Sequence, residues 1–189
     1  MPNTPPTTLG APQTWTREGS EFFISNDPAL ISVKAVNDAF GSKFLYWAKP
    51  FPEDVLRQLL DASMCFGVYK KIHPSQPHQE LELLSPQNTE QIGLARMVTD
   101  GATFGYLSDT YVLPEYQGKG LGRWLVECVA EVFSKQNMPF LRRIILLSSG
   151  KRMQDFYNQT LGMKVVGHEE RPDLGRDLVF MCARPQAQS

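Results

Sequence analysis

The feature that most restricts the fold is a change of apolar period near the middle of the chain. "TFGYLSDTYVL", Thr103 to Leu113, reads as a strand, and from Gly118 onward Leu121, Trp124, Leu125, Cys128, Val129, Val132 and Phe133 recur at helical spacing. The junction, "PEYQGKGLGRW", sets Gly118, Gly120 and Gly122 at the entrance of an otherwise strongly apolar helix. An interior helical glycine costs about 0.5–1 kcal/mol relative to alanine, so this cluster needs a physical reason.

Two reasons compete. A glycine-rich turn from strand into helix presents backbone N–H groups with no Cβ in the way, at the positive end of the helix dipole, and so forms an anion cradle. Alternatively, Gly118 and Gly120 satisfy a tight turn while Gly122 lets the helix pack closely on a sheet. The spacing fits neither the Walker A pattern nor GxGxxG, because the glycines alternate. It does fit Q/R-x-x-G-x-G/A, as Gln117-Gly118-Lys119-Gly120-Leu121-Gly122.

Around this junction the elements alternate. "EFFIS" is a strand candidate, Asp27-Pro28 signals a helix running to Phe40, and Phe51-Pro52-Glu53-Asp54 opens a helix with Val55, Leu56, Leu59 and Leu60 on its apolar face. "MCFGVY" reads as a buried strand, and the polar stretch from Lys70 to Glu90 as mostly exposed loop. "QIGLARMVT" and "TFGYLSDTYVL" flank Asp100-Gly101, a strong hairpin signal. "RRIILLSS" has the near-continuous apolar character of a strand buried on both faces, followed by a helix stopped at Gly162 and two strands, "MKVVG" and "DLVFMCA". The order is mixed α/β, with a disordered leader over 1–18, one domain over 19–184 and a tail over 185–189.

Composition excludes several classes. The chain has 189 residues and a formal net charge of -1, so no general basic field holds it on nucleic acid or an acidic membrane. No apolar run reaches membrane-spanning length, and "MPNTPPTTLGAPQTW" has no targeting pattern; the expected compartment is the cytoplasm, with the nucleus also open. Cys65, Cys128 and Cys182 lie far apart in apolar runs without metal spacing, which predicts reduced core residues and no metal. His73, His78 and His168 sit in polar stretches and read as surface residues.

With its flanking strand and the later "DFYNQTLGM", the signature resembles the GNAT superfamily of acyl-CoA-dependent N-acetyltransferases, over roughly Phe22 to Ala183. The resemblance implies the GNAT fold: a mixed, mostly antiparallel central sheet, splayed between the strand ending at Leu113 and "RRIILLSS", flanked by helices. It implies acetyl-CoA as co-substrate. Backbone groups of Tyr111 and Leu113, with Val112 between them, would pair with the pantetheine arm. The N–H groups of Gly118, Lys119, Gly120, Leu121, Gly122 and Arg123 would hold the pyrophosphate after Gln117, aided by the charges of Lys119 and Arg123, which otherwise read as a solvated helix surface.

Acetyl transfer to an amine requires removal of a proton from the ammonium, stabilisation of an oxyanion and protonation of the leaving thiolate. By resemblance Tyr157 donates to the sulfur, a backbone N–H near Val112 meets the oxyanion, and Ser108-Asp109 stands where some polyamine-acetylating members carry Glu-Asp. Serine is no base unaided, which leaves Asp109 or a water chain from Ser108. Strand alternation sets the two on opposite faces unless a bulge intervenes, and Asp109 reads equally as a structural carboxylate.

On the acceptor side, Tyr46 and Trp47 in "FLYWAKPF" offer stacking or cation–π contact, or serve as core or lid. Arg96, a charge inside an apolar strand, binds a substrate carboxylate or pairs with Asp109. The resulting expectation is acetyl transfer from acetyl-CoA to a primary amine of a small molecule by direct attack in a ternary complex. A protein or peptide amine, or a non-catalytic acyl-CoA-binding domain, are the alternatives. By analogy "DLVFMCA" is the edge through which two copies pair as a homodimer.

Overall fold

The structure, a computed structural model, describes residues 11–72, 84–170 and 178–184. The chain divides into two units: Pro12–Arg96 with Asp109–Leu125, and Met97–Ser108 with Val126–Ser189 and Met1–Ala11. Strands β4 (Thr89–Thr99) and β5 (Phe104–Val112) run through both.

In the first unit the strand order is β1 (Thr14–Thr16), β2 (Phe22–Ser25), β3 (Met64–Lys71), β4, β5. β1 falls inside the stretch read as a disordered leader. It pairs antiparallel with β2 through Trp15↔Ile24, and the Trp15 ring lies 6.0 Å from that of Phe66. A three-residue polar strand shows no apolar period, so only its partner reveals it.

The single helix expected from Asp27 to Phe40 is a 3-10 turn, Pro28–Leu30, followed by α1 (Val33–Phe40). Asp27 caps the turn by accepting from the Ala29 N–H. Extended backbone at Ile31 and Ser32 then resets the chain, and Ser32 Oγ accepts from the Ala35 N–H to start α1. α2 (Glu53–Asp61) buries Leu56 and Leu60 but leaves Val55 exposed, so its apolar face is narrower than expected. These two helices, Leu45, Leu94 and Tyr111 share one core cluster.

In the second unit β5 pairs in parallel with β6 (Arg143–Ser149) through Phe104↔Arg143, Gly105↔Ile144 and Tyr106↔Ile145. The ladder ends there, while β6 continues to Ser149 against β8 (Leu178–Ala183). β6 alternates, with Ile144, Leu146 and Ser148 buried and Leu147 exposed, so it is covered on one face and not both. β8 lies between β6 and β7 (Lys164–Glu169), which corrects the expected edge: "DLVFMCA" has both ladders filled, and β7 is the outer strand.

α3 (Leu121–Val132) buries every apolar residue of the helical repeat, through Phe133. α4 (Lys151–Leu161) ends at Gly162, whose left-handed backbone lets its N–H reach the carbonyls of Tyr157 and Asn158. Cys65 and Cys128 are buried and Cys182 is half-buried, and none of the three forms a disulfide. His168 is exposed, while His73, His78 and most of the expected long loop lie outside the described residues. Among the described residues no cluster suits a metal ion, and no helix is long and apolar enough to cross a membrane.

Candidate active site

The end of β5 is set by its approach to β4. A Cβ on Gly93 would stand 2.7 Å from the Tyr111 carbonyl oxygen, so only glycine admits that strand separation. The Leu113 N–H donates to the Ile92 carbonyl at 2.8 Å. Tyr111 and Leu113 therefore face β4, and by alternation Val112 faces the other way. This shifts the expected backbone contacts. The Leu113 N–H is committed to β4 and its carbonyl accepts from the Tyr116 N–H at 2.9 Å, so the polar edge turned away from β4 belongs to Val112. The Val112 carbonyl also accepts from Gln117 Nε2 at 2.9 Å, which ties the first residue of the signature to the strand.

After the 3-10 turn Pro114–Tyr116 the chain enters the glycines. Gly118 (φ 80°) and Gly120 (φ 77°) are left-handed, a conformation that costs other residues roughly 1–2 kcal/mol. Gly122 is different: it lies in the first turn of α3 without positive φ, and a Cβ there would meet nothing within 4 Å. The close-packing explanation for Gly122 therefore finds no support among the described residues, none of which needs the space. At Gly118 and Gly120, too, an added Cβ would meet no atom of the described residues within 4 Å. Exposed backbone at a helix N-terminus, no Cβ on alternate residues, and the exposed Lys119 and Arg123 beside it together fit a diphosphate. Trp124, the next residue, is buried under the Arg17 guanidinium, 4.2 Å from its ring centroid, which anchors the start of the helix.

Asp109 has φ 46°, the sole positive φ outside glycine among the described residues, and burial alternation in β5 breaks there. The strand thus kinks where the Ser108-Asp109 pair requires it. Asp109 Oδ2 accepts from Arg96 Nε at 2.6 Å, with the two side chains 14% and 13% exposed. Arg96 Nη1 donates to Ser63 Oγ at 3.1 Å. Of the two readings of Arg96, internal pairing is the one observed. Cys65 is close enough to feel Arg96, yet burial outweighs that charge and pushes its thiol up to about 12. Burial likewise raises the Tyr111 phenol.

Tyr46 and Trp47 stack edge to face, their centroids 4.9 Å apart, and are 44% and 50% exposed, so they are not core. Their loop is held to α1 by Asn37, which donates to the Phe51 carbonyl and accepts from the Phe51 N–H. The aromatic that reaches inward is Phe44, 6.0 Å from the Tyr111 ring, a residue that sequence reading passed over because "FLYW" gives no periodic sign of which rings turn in. Phe44 and Leu113 help line an open cavity of about 420 Å³ with Ser32, Ser42, Glu90 and Gln91. Tyr46 and Trp47 do not line it. In the other unit, Ser108 is half-buried, and Tyr157 is buried on α4 with its ring 5.1 Å from that of Phe156.

Comparison with known proteins bears on these features. Residues 45–163 match the description "Acetyltransferase (GNAT) family". A protein of Gibberella zeae named "Putative acetyltransferase FG08082" is 43% identical over 157 residues, which cover 81% of this chain and 84% of that protein. Two solved structures share the fold at low identity. The ribosomal-protein-S18-alanine N-acetyltransferase of Escherichia coli has a TM-score of 0.59 and 16% identity, covering 88% of this chain and 96% of its own. The spermidine N-acetyltransferase of Vibrio cholerae, in complex with CoA and spermine, has a TM-score of 0.58 and 16% identity, covering 87% and 95%. With the family pattern spanning most of the chain and containing the glycine turn, β5 and Tyr157, this chain belongs to the GNAT family of acetyltransferases.

Proposed function

We propose that the enzyme transfers the acetyl group of acetyl-CoA to a primary amine of a small molecule, by direct attack in a ternary complex. The observation that carries the donor half is Gly122: a glycine that the protein's own packing does not require, beside two left-handed glycines and two cations. Coenzyme A supplies an activated thioester, and the chain supplies its binding and the movement of protons. The N–H groups from Gly118 to Arg123 receive the diphosphate, with Lys119 and Arg123 adding charge. The polar edge of Val112 receives the pantetheine arm and offers the N–H that meets the oxyanion.

Tyr157 gives its phenolic proton to the departing sulfur. The ammonium loses its proton to water at Ser108, which relays it to bulk solvent, since Asp109 is engaged by Arg96. Neither Cys128 nor Cys65 carries the acetyl group: Cys128 is buried, and the Cys65 thiol is pushed up to about 12.

The acceptor reading rests on the 420 Å³ cavity, which has the size of a small-molecule site and carries Asp38 and Glu90 as acidic residues suited to an ammonium. Asp38 also pairs with Lys34 at 2.6 Å, in an exposed contact that an incoming cation can replace. The test is CoA release from acetyl-CoA across small amines and across peptides with free N-termini. Turnover confined to small amines supports the reading, turnover confined to peptides replaces the acceptor, and tight acetyl-CoA binding without turnover on either refutes it.

A further inference from the structure

We propose that Arg96 is a positioning residue that holds the kink of β5, and that Asp109 is its anchor and not the proton acceptor. This rests on the acetyltransferase reading of the Val112 edge given above. Three observations converge. Asp109 is left-handed in the middle of a strand, a conformation that a non-glycine residue keeps there only if something holds it. Its carboxylate is gripped at 2.6 Å by a guanidinium that is itself largely buried. That guanidinium is tethered in turn: Nη1 donates to Ser63 Oγ, and Ser63 Oγ donates to the Leu59 carbonyl at 2.9 Å, in the last turns of α2.

Arg96 thus connects the end of α2, the middle of β4 and the kink in β5 through one planar group. The planar fork fixes the relative directions of Nε and Nη1, whereas the three donors of a lysine ammonium rotate on a flexible stem and are not preorganised in this way. Beyond the kink the strand returns to β4 at Leu113, and Val112 is left facing outward. With Asp109 released, the backbone can relax toward regular extended geometry, and alternation then turns the 110–112 peptides to new directions. The clamp therefore acts on the orientation of the Val112 N–H, while the glycine turn further on is held by contacts beyond it, the Tyr116 N–H on the Leu113 carbonyl and Arg17 on Trp124.

The experiment compares Arg96→Met, Arg96→Lys, Asp109→Asn and Asp109→Val by steady-state kinetics, calorimetric acetyl-CoA affinity, pH–rate profile and amide hydrogen exchange. A misplaced reacting group costs about 10²-fold, so Arg96→Met should lower kcat by about that factor, with acetyl-CoA affinity within about threefold. Arg96→Lys should recover part of the loss. Asp109→Asn keeps an acceptor for Arg96 and a side chain that tolerates the left-handed region, so it should cost about fivefold or less and keep the acidic limb of the profile. Asp109→Val has neither property and should fall with Arg96→Met. Exchange at residues 109–113 should quicken in Arg96→Met and Asp109→Val but not in Asp109→Asn.

If Asp109→Asn falls as far as Arg96→Met and loses the acidic limb, Asp109 is the base and the proposal is overturned. Wild-type exchange and wild-type kcat in Arg96→Met overturn it equally. Absence of amine turnover in the wild type would instead sink the functional reading, and the exchange data would still decide the clamp.

Discussion

Gly122→Ala separates the protein's needs from the ligand's. The position is in the first turn of α3, has no positive φ, and an added Cβ would meet no atom of the described residues within 4 Å. Alanine there should therefore raise stability, by about 0.5–1 kcal/mol at most, since the strain and clash that usually offset helix propensity are absent. For a chain of this size that corresponds to a rise in Tm of about 1–4 °C. If a diphosphate closes on the turn, the same methyl must be accommodated against it, an overpacking cost of about 1–3 kcal/mol, or roughly 5- to 150-fold in Kd for acetyl-CoA. Calorimetric unfolding without ligand and isothermal titration with acetyl-CoA measure the two effects on one variant. A stabilised variant with unchanged affinity would show that nothing approaches Gly122, and the cradle argument would fall. A destabilised variant would refute the claim that the fold has no use for the glycine.

Other expectations follow from single contacts. Gly93→Ala should destabilise by about 1–3 kcal/mol, read from a urea midpoint, because its Cβ would meet the backbone oxygen of Tyr111 at 2.7 Å rather than a side chain that can move. The Asp100 carboxyl is held well below its usual range, first by the Thr103 hydroxyl and then by backbone N–H groups of Ala102, Thr103 and Phe104. A depressed folded value means stability present above the unfolded value and lost as pH falls below it, so Asp100→Asn should flatten the melting-temperature profile below about pH 4. Tyr157→Phe should lower kcat by about 10²-fold with acetyl-CoA affinity retained, and wild-type kcat would assign the thiolate proton to another group. With iodoacetamide at pH 8, Cys182 should label before Cys65 and Cys128; rapid labelling of Cys65 would contradict its burial and its thiol raised to about 12.

The stretch from Thr103 to Phe133 was legible before any coordinates. A strand, a glycine-rich turn and a helix of period 3.6 are local instructions, each carried by the conformational range of single residues or by one apolar face. The same holds for Gly162 ending α4 and for the Asp100-Gly101 turn. Signals that depend on a partner elsewhere in the chain failed. β1 was hidden because its support, the β2 ladder and the Phe66 ring, lies elsewhere in the chain, and β8 was misread as an edge because nothing in "DLVFMCA" says that β7 will pair beyond it.

The candidate site divides along the same line. Gln117 to Arg123 are proposed as an anion cradle on sequence alone because such a cradle is made of backbone, and glycine spacing reports backbone directly. Tertiary structure alone decided that Gly122 opens onto space free of protein, that Phe44 and not Trp47 turns toward Tyr111, and that Leu113 has given its N–H to Ile92. It also decided the fate of Asp109. A left-handed aspartate clamped by Arg96 depends on two strands and the end of a helix meeting at one guanidinium, and no sequence window contains all three.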